Sequence, residues 1–490
     1  MASLRQLFSQ SVVYGLSTVV PRLLNYLLVP IHTRVFTNPA GYGVITELYA
    51  YIAFLLVLLT FGLETGFFRF ASKRSGAQGV YSAVFYFMLI TSSVAGLVFF
   101  SISGGASRLL GSEFSPGYIQ ILGLVVATDA FMAIPFAKLR LDGRPLAFSA
   151  VKIAGVAVNV CLNILIYLCL RHSLWPHIIN EGSLLMLIFA ANLVQNLVAL
   201  ALVLCLAGVP RPALNARLLR DMLGYSMPLL IAGLAGTTNE AMDRIFIRYL
   251  LPAGSNALYE LGIYSSNVKL AVLMLLFIQM YRFAAEPFFF NLNASKEGIA
   301  GIFPKTQKYF IVFCIIIFLG ITFNLPILKY IVGNEYRTSL YIVPLLLIAN
   351  ILYGTYFNLS FWYKLKDKTI YGIKYALIGA FITIASNVIM IPLMGIYGAA
   401  VSRIVCYGAM NLISFRDGRK AGFVGIETKH LSLYLLVALA ISTIGVSTLW
   451  LNEWLSLLLA DALILAFVCL FIKREGVQVP KLADFKRLSI

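Results

Sequence analysis

Arg22 lies near the middle of an apolar stretch, Tyr14 to Arg34, that is long enough to cross a bilayer, and Pro21 precedes it. A cation at that depth costs roughly 2.5–3.5 kcal/mol against lipid, so it normally faces a watery cavity or a partner. Tyr14, Thr18, Arg22, Asn25 and His32 share one side of a helix, interrupted by Val29. This polar stripe suits a ligand that carries negative charge.

Other charges sit at similar depth. Lys152, Arg244, Lys269 and Arg403 are cations inside spans, and Lys374 is close enough to a span end to snorkel. Arg22 has no acid three or four residues away. Glu240 and Arg244 share a helix face and can pair, whereas Asp243 points about 100° away from Arg244. The expectation is a cavity shared by Arg22, Arg244 and Lys269, with Lys152 and Arg403 nearer its rim or walls. Asp129, near mid-span, is the first candidate for ion coupling and Glu240 the second. Either acid can instead serve as a partner for one of the cations.

The elements that position these residues follow from composition. Of 490 residues, 60% are hydrophobic and 12% charged, which no soluble domain of this length matches. The chain reads as an all-α polytopic membrane protein. At roughly 20 residues per span there are about fourteen transmembrane helices. They fall near 12–35, 41–68, 78–103, 116–140, 146–170, 182–208, 220–250, 256–285, 306–326, 339–363, 370–391, 396–416, 430–451 and 453–473. Pro39, Pro116, Pro145, Pro210, Pro252, Pro304 and Pro392 punctuate the joins. Tyr42, Tyr49 and Tyr51 open a span and read as an interfacial belt.

A net charge of +18 would suggest nucleic acid in a soluble protein. Here the basic residues concentrate in alternate loops, among them Arg69, Lys138, Arg144, Arg211, Arg282, Lys364 and Arg419, so no nucleic acid is implied. The positive-inside rule then puts both termini in the cytoplasm. Six cysteines and four histidines are scattered without metal-ligand or disulfide spacing, so neither a metal nor a cofactor is expected. The N-terminus lacks a short apolar region with a small-residue cleavage site and reads as a retained helix.

The arginine-bearing span has a counterpart in the second half. TTNEAMDRIFIRYLLPAG, from Thr237 to Gly254, aligns Asn239 with Asn25 and Arg248 with Arg34, and LYELGIY after it resembles ITELYAY. Two such halves suggest a repeat with a site between them.

The opening SQSVVYGLSTVVPRLLNYLLVPIHTRVF, GYGVITELYAY, GLETGFFRF, NEAMDRIFI and PLMGIYGAAVSRIVCY occur in family-like order and spacing. Through them the chain resembles the polysaccharide flippase branch of the multidrug/oligosaccharidyl-lipid/polysaccharide exporter superfamily. The last motif opens its helix on Gly398-Ala399-Ala400, small residues that let helices approach closely. The resemblance implies two six-helix lobes around a central cavity, 1–208 and 209–420, plus two peripheral helices in 421–473 and a cytoplasmic tail at 474–490. It implies a lipid-linked sugar as cargo and a basic cavity with cations on the first, seventh and eighth helices, where Arg22, Arg244 and Lys269 stand. It also implies residence in the bacterial inner membrane, as a monomer in transient contact with a polysaccharide polymerase.

The function expected is therefore flipping of undecaprenyl-diphosphate-linked oligosaccharide from cytoplasmic to periplasmic leaflet by alternating access. Cations match the diphosphate, and Asn25, Asn239 and Asn350 offer hydrogen bonds to sugars. A lipid II flippase is an alternative, although the first span lacks that branch's arginine-rich opening. A cation-coupled drug exporter of the same fold is another, disfavoured by the basic excess within the spans. A membrane glycosyltransferase would need paired acids, and Glu113, Glu181 and Glu335 are isolated; the chain is not read as an enzyme.

Overall fold

The computed structural model describes residues 19–73, 77–171, 181–252, 254–294, 299–422 and 453–475, together with Tyr434 and residues 436–438 and 440–441. Helix α1 covers residues 19–35 and is interrupted at Leu27. α2 is a pair of helices, Pro39–Thr60 and Leu63–Lys73, followed by α3 (Ala77–Leu110), α4 (Pro116–Leu141), α5 (Pro145–Arg171) and α6 (Glu181–Ala207). α7 is Ala216–Leu250 and α8 the pair Ala257–Leu270 and Val272–Ala294. Then come α9 (Ile299–Phe323), α10 (Ile342–Leu359, continued by Phe361–Lys364), α11 (Ile370–Met394) and α12 (Ile396–Lys420). A C-terminal helix spans Glu453–Glu475, and the described residues contain no strand.

Among the described residues, eleven helices, those of α2 through α12, are long and apolar enough to cross a membrane. The chain is a multi-pass membrane protein. Of the fourteen spans expected, the first is described only from residue 19. The thirteenth falls mostly outside the described residues, and the fourteenth corresponds to Glu453–Glu475.

Proline and asparagine set the helix starts. Asn38 accepts a hydrogen bond from Ala40 N with Pro39 in the first turn, and Ser115 accepts from Gly117 N with Pro116 in the same place. Asn215 and Asn256 cap α7 and α8 in the same way. Pro304 and Pro392, expected at joins, instead lie inside α9 and α11. Each lies within two turns of a helix end, where the bond to residue i−4 that proline removes disturbs only a short stretch of helix.

The helices pack in two sets. α3 lies on α4, α4 on α6 and α6 on α5; in the second, α11 lies on both α7 and α12, α12 on α10 and α10 on α9. α2 bridges them, packing on α4 on one side and on α7 and α8 on the other. The C-terminal helix docks on α9, where Lys308 Nζ meets Glu475 at 2.6 Å and Tyr434 Oη donates to the same carboxylate at 2.7 Å. The close approach expected at Gly398 is present: a Cβ there would stand 2.1 Å from the Met390 carbonyl oxygen.

One end of the seam between the sets is sealed backbone to backbone. A Cβ on Gly43 would stand 2.1 Å from the Leu258 carbonyl oxygen, and one on Gly262 would stand 2.0 Å from that of Pro39. Only glycine permits this crossing of α2 and α8. Around it, Gly333 N donates to Thr33 Oγ1 at 3.0 Å, Tyr336 Oη to the Phe36 carbonyl at 2.9 Å and Arg34 to the Tyr330 carbonyl at 2.7 Å. Below it, Arg248 stands 3.5 Å from Glu47 and 3.9 Å from Glu113, and Tyr51 and Tyr249 share a hydrogen bond of 2.9 Å.

Forcing a side chain into such a contact costs about 1–3 kcal/mol. Gly262→Val should therefore loosen this end while leaving the helices intact. The check is hydrogen exchange across residues 329–337, expected to speed up by about tenfold for each 1.4 kcal/mol lost. Unchanged exchange would show that the crossing does not hold the seal.

Candidate functional site

Between the two sets lies a cavity of about 400 Å³. Its cationic wall comes from α7 and α8. Lys269 is exposed to it, although its helix neighbours from Leu261 to Val268, and Leu270 after it, are buried. Arg244 lines the same cavity one helix away. Its guanidinium donates to the Glu240 carbonyl at 3.0 Å and lies 3.8 Å from the Asp243 carboxylate. The side-chain pair expected between Arg244 and Glu240 is thus replaced by a backbone contact, and the neighbour in sequence supplies the nearer charge.

Arg22 of α1, expected to share this cavity, lines neither it nor a second one described below, but lies close enough for its charge to act on Lys269. Lys269 feels the charges of Arg244 and Arg22, and Arg22 in turn feels Glu240 and Arg282. Among the described residues no carboxylate lies within ion-pair distance of Arg22 or Lys269. Asn25, one turn along from Arg22, lines the cavity. Arg282 was read from sequence as a loop cation, yet it sits in the second helix of α8. There it donates to Tyr353 Oη at 3.3 Å and lies over the Phe357 ring at 4.0 Å. Lys269 and Arg282 are thirteen residues apart on α8, so the cations extend over about 20 Å of helix.

The wall facing these cations is uncharged. Asn159 and Asn163 of α5, Asn192 and Gln195 of α6 and Tyr49 of α2 line it. Their bonds form a chain. His32 Nε2 pairs with Asn163 Oδ1 at 2.9 Å, and Asn163 Nδ2 donates to Asn159 Oδ1 at 2.7 Å. Asn159 Nδ2 donates to Asn192 Oδ1 at 3.2 Å, and Asn192 Nδ2 donates to Tyr49 Oη. Tyr42 and Tyr49, expected in an interfacial belt, line this cavity instead. The sequence carried a signal for the amides. Asn159 and Asn163 are four residues apart and Asn192 and Gln195 three, the spacing that singled out the stripe around Arg22.

Lys152 and Asp129 meet elsewhere. They line a second cavity of about 440 Å³ within the first helix set, with Glu64 and Arg140, which form an ion pair, at its edge. Lys152 Nζ lies over the Phe136 ring at 4.6 Å. Asn239 and Arg403 line neither cavity. Arg403 is buried with its Nε 2.9 Å from Asp243, and it also donates to the Glu240 carbonyl at 2.7 Å. Tyr264 Oη completes the ring of donors around Asp243. Asn239 accepts from Thr383 Oγ1 at 3.1 Å and packs beside Gly379 between α7 and α11. Asn350 donates to the Ala271 carbonyl at 3.2 Å. These three side chains are committed to helix packing. Among the described residues no cluster of ligating side chains is suited to a metal.

The sequence pattern of the family described as polysaccharide biosynthesis protein matches residues 33–340. The chain belongs to that family. No curated protein matches it in sequence. Among solved structures it is similar to the lipid II flippase MurJ in an inward closed conformation. That likeness has a TM-score of 0.72 and 12% identity, over 95% of this chain and 100% of that one. It is also similar to a multidrug resistance MATE family transporter of the MOP superfamily in an inward-facing conformation. There the TM-score is 0.64 and the identity 14%, over 83% of this chain and 94% of that one. At such identities the likeness is one of fold, and it agrees with the resemblance carried by the opening motif and by PLMGIYGAAVSRIVCY.

The geometry separates two kinds of deep cation. Removing one partner of a buried pair strands the other charge and costs about 3–5 kcal/mol. Asp243→Ala should therefore lower the thermal unfolding temperature of the purified protein markedly. Lys269→Gln, which breaks no ion pair, should leave it nearly unchanged. A large loss in both variants would show that Lys269 is structural as well.

Proposed function

We propose that the chain is a flippase that carries undecaprenyl-diphosphate-linked oligosaccharide from the cytoplasmic to the periplasmic leaflet of the bacterial inner membrane. The observation that carries this reading is the convergence of Lys269 and Arg244, from two helices, on one internal cavity, with Arg22 of a third helix close enough for its charge to act on Lys269. A diphosphate leaving water needs fixed cations, and charge-assisted hydrogen bonds are strong in a site of low dielectric. Membership of a polysaccharide biosynthesis family supports a glycan-bearing cargo, and the likeness in fold to two transporters supports alternating access.

In this reading the two helix sets are the lobes, both termini are cytoplasmic, and the glycine-sealed end is periplasmic. The cavity then waits for cargo from the cytoplasmic side. The column from Arg282 to Lys269 gives the headgroup successive cationic positions along its path. The polyprenyl tail stays in lipid, and the C-terminal helix beside α9 is the element proposed to attend it. Asp129, sharing a cavity with Lys152 away from the headgroup path, is the proposed ion-coupling group, with Glu240 beside Arg22 as the second.

The test is translocation of labelled polyprenyl-diphosphate oligosaccharide in liposomes. A hydrogen bond to a charged group contributes about 1.5–3 kcal/mol, so Arg22→Ala and Lys269→Ala should each slow transport by about 10- to 100-fold. Normal rates in both variants would refute the assignment. Lipid II in the same assay separates the two lipid-linked cargoes.

Outward movement of an anion runs with the field, worth about 2.3 kcal/mol per charge per 100 mV. Collapse of the potential at fixed pH should therefore slow export more than collapse of the pH gradient. A rate indifferent to potential, steep in a proton or sodium gradient and flattened by Asp129→Asn would place the energy source at Asp129 instead.

A further inference from the structure

The two walls of the central cavity differ in kind. Lys269 and Arg244 charge one of them, while the wall built by α5, α6 and Tyr49 carries amides and a phenol and no acid, lysine or arginine. A cavity meant only for an anion has no use for such a surface. A buried amide left without partners costs about 1–3 kcal/mol, so polar groups collected there have a role.

The amides also retain capacity. Each carboxamide offers two donor hydrogens and two acceptor lone pairs. Asn192 spends one donor on Tyr49 and one acceptor position on Asn159 within the chain of bonds. Gln195 Oε1 is buried without any hydrogen-bond partner. Gln195 lines this wall and also the second cavity, and its unspent acceptor, enclosed in the present rotamer, reaches a ligand once the carboxamide turns.

Adjacent donors and acceptors match vicinal hydroxyls, each of which is itself a donor and an acceptor. They match a phosphate less well, because it only accepts, and an apolar ligand not at all. We infer that the α5–α6 wall is a carbohydrate subsite that holds the uncharged sugar attached directly to the diphosphate. This rests on the flippase reading and adds to it the orientation of the cargo. The diphosphate lies against α7 and α8, and the first sugar lies against Asn159, Asn192 and Gln195. A cavity of about 400 Å³ falls within the usual range for small ligands, so the sugars further along extend beyond it. The wall has no lysine or arginine to neutralise a uronic acid, so the site favours a neutral hexose or N-acetylhexosamine at this position.

The experiment compares two probes on the full-length protein in lipid nanodiscs: radiolabelled polyprenyl diphosphate, and the same lipid bearing one N-acetylhexosamine. The native protein should bind the glycosylated lipid about tenfold more tightly, the worth of one or two added hydrogen bonds. Gln195→Met and Asn192→Leu should each shrink that advantage to about threefold or less while leaving affinity for the bare lipid unchanged. Lys269→Gln should weaken both lipids alike. Should Asn192→Leu fail to fold, Gln195→Met carries the test, since its Oε1 takes part in no internal bond. Equal binding of the two lipids by the native protein would overturn the subsite alone, as would variants that keep the full sugar advantage or lose both affinities together. Binding of neither lipid by the native protein would overturn the flippase reading and the subsite with it.

Discussion

A charge held at bilayer depth must be matched by an opposite charge or by water, and that demand arranges this molecule. Asp243 meets it inside the second helix set, where Arg403 and Tyr264 surround it and lock α7 to α8 and α12. Lys269 meets it the other way, by opening onto a cavity while its helix neighbours stay buried. A deep cation is thus a rivet at Arg403 and a cavity-facing charge at Lys269. What distinguishes them is whether a carboxylate is already within reach.

Much of the architecture was legible from the chain. Pro39 and Pro116 after Asn38 and Ser115 marked helix starts because the capping chemistry is local. That Arg244 and Lys269 face a cavity was legible because a cation in an apolar run has few alternatives, whereas Arg22, marked by the same signal, lines none. Arg403 had the same appearance in sequence, yet its partner lies 160 residues away, and no spacing rule brings Asp243 to it. Helical periodicity tells which residues share a face but not what the face meets. For that reason Tyr49 read as a belt residue and Arg282 as a loop cation. The amides of α5 and α6 obeyed the same periodicity as the arginine stripe. They drew less notice because an asparagine costs a span far less than an arginine does.

The sealed end and the cavity depend on one another. Backbone contact at Gly43 and Gly262 excludes side chains where α2 crosses α8, and the polar groups beneath gain a closed roof. Arg248 supports it by drawing on acids from two elements, Glu47 in α2 and Glu113 before α4. Buried apolar side chains, Phe36, Leu258, Leu261, Val332 and Tyr336 among them, pack around the same crossing, so closure combines backbone contact with apolar burial.

The interruption of α2 at Phe61 and Gly62, both with positive φ, has a mechanical meaning. The segment before it is a rod of 22 residues, about 33 Å long. Pivoted at its base by about 10°, its far end would travel roughly 6 Å, enough to part the Gly43 and Leu258 backbones. The shorter segment beyond the break, with Arg69 lying 4.0 Å over the Tyr225 ring of α7, need not move with it. A single unbroken rod would have swung both of its ends at once. The joint at Phe61 and Gly62 lets the two segments tilt independently, so that one can move while the other stays packed.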